Sequence, residues 1–251
     1  MGNKIQYPKP NTLKNFITKR LLAVLALAIG TGLLIVLTNL QFSHASTAQK
    51  PHPLPSTLAQ WQDNSNSGDY FSQVATTEVG YLVWSKFPVK VHIKRPQIIN
   101  QEQAQAWVNS VLQTVQEWNN YLPLIVVEQP EIADITIERK TPPLGLSREN
   151  KIPRARSALT RYELYNSNNV LLHRFTILLS PSQTGDYLLS ASRHELGHAL
   201  GIWGHSSLQT DALYFSQVRN PPPISPRDVN TLKRVYQQPT SLGWALEISE
   251  K

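Results

Sequence analysis

The sequence predicts an α+β domain, and three stretches carry that expectation. Val89, Val91 and Ile93 alternate with Lys90, His92 and Lys94, the period-two pattern of a strand buried on one face. Soon after, Ala104, Trp107, Val108, Val111, Leu112, Val115 and Trp118 fall on one stripe at helical spacing, which makes a long amphipathic packing helix. Further on, the runs Leu159 to Tyr165 and Val170 to Leu179 face each other across Asn166-Ser167-Asn168-Asn169, a hairpin with a four-residue turn.

Residues 1–20 read as a basic cytoplasmic tail, because Lys4, Lys9, Lys14, Lys19 and Arg20 precede an apolar run from Leu21 to Leu37 that contains no acid. Basic residues before such a run stay in the cytoplasm and send the rest of the chain outward. Residues 21–40 are then a transmembrane anchor or a signal segment, since the run lies between the lengths of an ordinary signal core and of a bilayer span. Ser43-His44-Ala45 has the small-x-small form of a cleavage site. The expected location is therefore membrane-anchored with the folded domain outside the cytoplasm, or secreted if the leader is removed.

The leader also accounts for most of the net charge of +7. It holds five of the 24 basic residues and none of the 17 acidic ones, leaving 19 against 17. No basic field of the kind that binds nucleic acid remains. The absence of cysteine excludes disulfides, so export is inferred from the leader alone. Residues 41–80, rich in Pro, Ser, Asn and Gln up to about Asp69, suit a solvated linker. A short propeptide is the alternative, in which Asp63 or Asp69 would cap a metal.

Residues 81–251 fit one domain. Within it Asn100 and Gln103 open the long helix in the manner of a capping box. Leu124 to Val127 and Ala133 to Ile137 are two further strands. After the hairpin, Asp186 is placed to cap the helix that carries His194 and His198. Ser225-Pro226-Arg227-Asp228 begins a last helix with a cap, a proline at its first position and an acid in its first turn. His92 and His173 lie in strands and read as surface or packing residues.

The chemistry lies between Arg193 and Ser206, R-H-E-L-G-H-A-L-G-I-W-G-H-S. One helical turn separates His194 from His198, so both project from one face and can share a metal ion, with Glu195 beside them. Gly201 is a helix stop. His205 follows it as a third imidazole. Three neutral imidazoles suit Zn2+ and leave a position open for water, whose proton an adjacent carboxylate can take. Asp211, six residues beyond His205, is an alternative third ligand.

This stretch resembles the metzincin signature H-E-x-x-H-x-x-G-x-x-H, and the element order from Phe87 to Gln238 resembles the matrixin catalytic domain within that clan. Trp118 with Ala133-Asp134-Ile135, and Ile224-Ser225 with Asp228-Val229 and Val235-Tyr236, add to the likeness. The resemblance implies a metzincin fold: a twisted, mostly parallel sheet with one antiparallel edge strand, and three helices. It also implies a zinc endopeptidase acting on protein or peptide substrates, with His194, His198 and His205 as ligands and Glu195 as general base. Substrate would add to an edge at about Ser157 to Tyr165. A zinc-binding module that holds extended peptides without cleaving them is the rival function. Two positions depart from the family pattern: Gly204 stands where the third histidine belongs, and Leu213, followed by Tyr214, replaces the methionine under the metal. Leucine and methionine have similar volumes, so the floor is expected to survive at a cost under about 1.5 kcal/mol.

Overall fold

The computed structural model describes residues 49–97, 99–146 and 153–246, so the tail, the apolar run and the cleavage site lie outside the described residues. The described residues form an α+β domain. Its helices are α1 (Ser56–Gln60), α2 (Gln101–Asn119), α3 (Gly185–Ala199) and α4 (Pro226–Tyr236). Its main sheet uses β1 (Val89–Lys94), β2 (Leu124–Val126), β3 (Ile135–Arg139), β6 (Ala158–Ser167) and β7 (Val170–Leu179), while β4 (Gly145–Leu146) and β5 (Pro153–Arg154) pair separately.

The order across the sheet is β2-β1-β3-β7-β6. All its neighbours are parallel except β6, which runs antiparallel to β7 at one edge. Val89 and Val91 of β1, Ile135 and Ile137 of β3, and Phe175, Ile177 and Leu179 of β7 are buried. They share a core with Trp107, Val111, Val115 and Trp118 of α2 and Leu188 and Leu196 of α3. Each such side chain contributes about 1.5–3 kcal/mol on burial. This packing lays α3 close against α2, β6 and β7.

Local signals account for several ends. The Asn100 side chain accepts from the Gln103 N–H at 2.8 Å and starts α2. Ser225 and Asp228 complete a reciprocal capping box at α4. Other boundaries differ from expectation. Strand β3 begins two residues late, where the Asp134 main chain and carboxylate both bond the main chain of Lys90. The hairpin turn has two residues and not four: Asn168 and Asn169 take φ of 52° and 63°, the paired left-handed geometry that matches strand twist and that asparagine tolerates. At α3 the N-cap is Thr184, without a side-chain cap bond, and Asp186 instead lies in the first turn, where a carboxylate faces the positive helix end.

The largest correction concerns the segment expected as a linker or short propeptide. Residues 49–80 are part of the folded domain. Leu58, Tyr70, Val74 and Val79 enter the core, and α1 is a helix beyond the three expected. Polar groups of this segment are bonded to α4: Trp61 donates to Asn230 at 2.9 Å, and Asp69 pairs with Arg234 at 2.8 Å. Tyr70 donates to the buried carboxylate of Asp228. Asp63 is held by Ser65, Ser67 and Asn230. Neither Asp63 nor Asp69 belongs to the group that could hold a metal ion among the described residues.

His173 is a packing residue, 3% exposed, stacked on Trp84 at 4.0 Å, and its Nε2 makes no hydrogen bond. Burial pushes its pKa down to about 3. Between its ordinary value near 6.5 and that depressed value the unfolded chain takes up a proton that the folded chain refuses, so stability falls as pH falls. The group contributes at most about 1.4 kcal/mol per pH unit. Urea melts from pH 7 to pH 4 are expected to show a shallower loss of stability in His173→Leu than in the parent chain; parallel curves would contradict this.

Candidate metal centre

Helix α3 presents His194 and His198 one turn apart, with ring centroids 4.7 Å from each other. After Ala199 the helix ends through Leu200, and Gly201 takes φ +130°. A β-carbon there would meet the Leu82 carbonyl at 3.0 Å, so glycine serves both the turn and the close approach. Trp203 N–H donates to Gly201 O and Gly204 N–H to Ile202 O, each at 2.9 Å. These are two successive three-residue turns. They tighten the path from the helix end through Gly204 to His205.

The reason that position holds glycine is also visible. A β-carbon on Gly204 would lie 2.1 Å from the Gln73 carbonyl oxygen, because the segment around Val74 bridges to Gly204 and Ala75 N–H donates to Trp203 O. No side chain fits there. His205 instead reaches the helix pair, its ring 5.2 Å from His194 and 4.8 Å from His198. One nitrogen from each of the three histidines lies within 4.8 Å of the others. The alternative ligand Asp211 is committed elsewhere: it is fully buried and accepts from Ser206, Ser225 and Arg227.

The hydrogen bonds fix how the helix histidines present themselves. His194 Nδ1 bonds Ala212 O at 2.9 Å and His198 Nδ1 bonds Ile202 O at 2.7 Å. A carbonyl only accepts, so each Nδ1 carries the hydrogen and each Nε2 carries a lone pair. The two Nε2 atoms face each other at 3.1 Å. Two lone pairs at that distance repel, and a cation between them relieves the repulsion. Burial, then the neighbouring His198, pushes His194 down to about 3; burial, then His205, pushes His198 down to about 4; the partial covering of His205, whose residue stays exposed overall, lowers it as well. All three are neutral near pH 7, the form that binds metal. The donor set therefore fits a divalent ion such as zinc.

The floor is built from the turn after the histidines. Leu213 is fully buried, and its Cδ2 lies 2.7 Å from where a β-carbon on Gly197 would sit. Gly197 thus lets Leu213 press against the underside of α3. Ser206 N–H donates to Leu213 O at 2.8 Å, tying the third histidine's strand to that floor.

Glu195 is 9% exposed and opens on a cleft of about 820 Å³. Its lining includes Ala158 and Thr160 of β6, Phe215, Val218 and the three histidines. Burial pushes the Glu195 pKa up, while the hydrogen bond from the Thr160 hydroxyl holds it back. The Thr160 hydroxyl donates to Glu195 Oε2 at 2.6 Å. His92 bonds the Val127 carbonyl and is not part of the histidine group.

Two contributors have no local sequence signal. Arg193 forms a bidentate pair with Glu117 at 2.7 and 3.0 Å, and Trp118 Nε1 donates to Arg193 O at 3.0 Å. They pin α3 to α2 across 76 residues of chain. Thr160 meets Glu195 across 35. Compared with known proteins, the chain matches no family model and no curated protein sequence.

Proposed function

We propose that the chain is a zinc-dependent endopeptidase of the matrixin-like, metzincin type. The observation that carries this reading is the grouping of three imidazoles, which line one cleft together with a buried carboxylate and residues of the edge strand β6. A zinc ion held by His194, His198 and His205 would supply Lewis acidity and acidify a water molecule. Glu195, the neighbour of His194 in sequence and open to the cleft, takes a proton from the attacking water and passes it to the departing amine. Raised by burial, its pKa moves toward the range in which one group can do both.

Among the described residues strand β6 ends the sheet beside Glu195, and such an edge offers main-chain donors and acceptors to an extended peptide. Protein or peptide segments are accordingly the substrates, and nucleic acid is not a partner. The location is outside the cytoplasm, with residues 21–40 as anchor or cleaved leader. This rests on the charge pattern of the first forty residues; among the described residues no helix is long and apolar enough to cross a membrane.

Digestion of an unstructured peptide library tests the reading. Zinc-loaded protein is expected to cut internal peptide bonds, to stop with a chelator and to resume on zinc addition. Retention of peptides without cleavage would favour the binding-module alternative.

A further inference from the structure

The register of the hairpin determines which groups of β6 face the open edge. Ser180 N–H donates to Ser157 O at 2.9 Å, and Ala158 and Leu179 follow as the first partners of the ladder. Antiparallel pairs alternate between bonded and non-bonded. Odd-numbered residues of β6 therefore turn their main chain to β7, while Ala158, Thr160 and Tyr162 turn theirs to the open edge. Thr160 is the one of these three that also touches the carboxylate. Its hydroxyl donates to Glu195 Oε2 at 2.6 Å, in the range of a charge-assisted bond, and approaches Glu195 O at 3.0 Å. Its side chain is 7% exposed, so water does not readily replace this donor.

We propose that Thr160 is the positioning residue for Glu195. Its hydroxyl pins Oε2, so that the other carboxylate oxygen is the one to receive the proton. Because the same residue lies on the edge where a peptide would pair, docking of substrate and placement of the base are set by one backbone position. The inference rests on the peptidase reading of this site. A carboxylate without that donor loses a hydrogen bond it cannot recover from solvent in a buried place, and it turns away.

The test uses the zinc-loaded full chain. Thr160→Val keeps the shape and branching of the side chain and removes the hydroxyl; Thr160→Ser keeps the hydroxyl. Thr160→Val is expected to lower kcat by about 10- to 100-fold, the scale seen when a partner that orients a reactive group is removed, with KM and the zinc dissociation constant nearly unchanged. Thr160→Ser recovers most of kcat. In a Glu195→Gln background Thr160→Val has no further effect. In crystals of metal-free Thr160→Val the Glu195 carboxylate leaves its present position. Unchanged kcat in Thr160→Val, an equal loss in Thr160→Ser, a full additional loss in the Glu195→Gln background, or weakened zinc binding would each overturn the proposal. If Thr160→Val does not fold, Thr160→Ala carries the same expectations. If the parent chain cuts no peptide, the peptidase reading falls by itself, and the crystal structure still decides whether Thr160 holds the carboxylate.

Discussion

Glu195→Gln is expected to retain zinc and fold and to lose about 100- to 10,000-fold in kcat, the usual worth of general-base assistance. The carboxamide has the size of the carboxylate, so the buried site keeps its packing. Its oxygen can still accept from the Thr160 hydroxyl, which lies at 2.6 Å from Oε2. What it cannot do is receive a proton from water. Glu195 is outside the three-histidine group, so zinc content measured by atomic absorption should match the parent chain. Undiminished turnover in the purified variant would remove Glu195 from the mechanism, and loss of zinc would make it a ligand.

His205→Ala and Asp211→Ala are expected to fail in different ways. His205 supplies the one imidazole that α3 does not carry, so its removal leaves two ligands and should weaken zinc binding by more than the 10- to 100-fold typical of a group behind the ligands. Hydrolysis goes with it. Melting of the metal-free chain should change little, because His205 is exposed. Asp211 is fully buried and paired with Arg227 at 3.0 Å. Asp211→Ala removes the acceptor of Arg227 Nε and of the Ser206 and Ser225 hydroxyls in a buried place, at a cost on the order of 3 kcal/mol. Its signature is a lower melting temperature, with any loss of zinc following from unfolding. If Asp211→Ala loses the metal while still folded and His205→Ala keeps it, the assignment of the third ligand is wrong.

What was legible in the chain was local. The alternation at Val89 to Lys94 and the stripe from Ala104 to Trp118 placed a strand and a helix because burial on one face imposes those periods. The Ser225 cap was readable because both of its bonds lie within four residues. The histidines and Glu195 were readable for the same reason, being drawn from a dozen consecutive positions. What escaped was set by partners far off in sequence. Residues 49–80 carry a linker's composition, yet their polar groups find Asn230, Asp228 and Arg234. Gly204 looks like an interruption of the signature until Gln73 is seen against it. Thr160 is one more polar residue on an alternating strand, and only the sheet order brings it to Glu195.

The most direct measurement is a zinc titration of the metal-free chain while cleavage of a peptide pool is followed by mass spectrometry. The account predicts no cleavage without metal, a rise in rate that saturates at one zinc per chain, and no rise in Glu195→Gln over the same range of binding. Cleavage that persists after complete metal removal, or zinc bound at one equivalent by a chain that cuts no peptide, would contradict it.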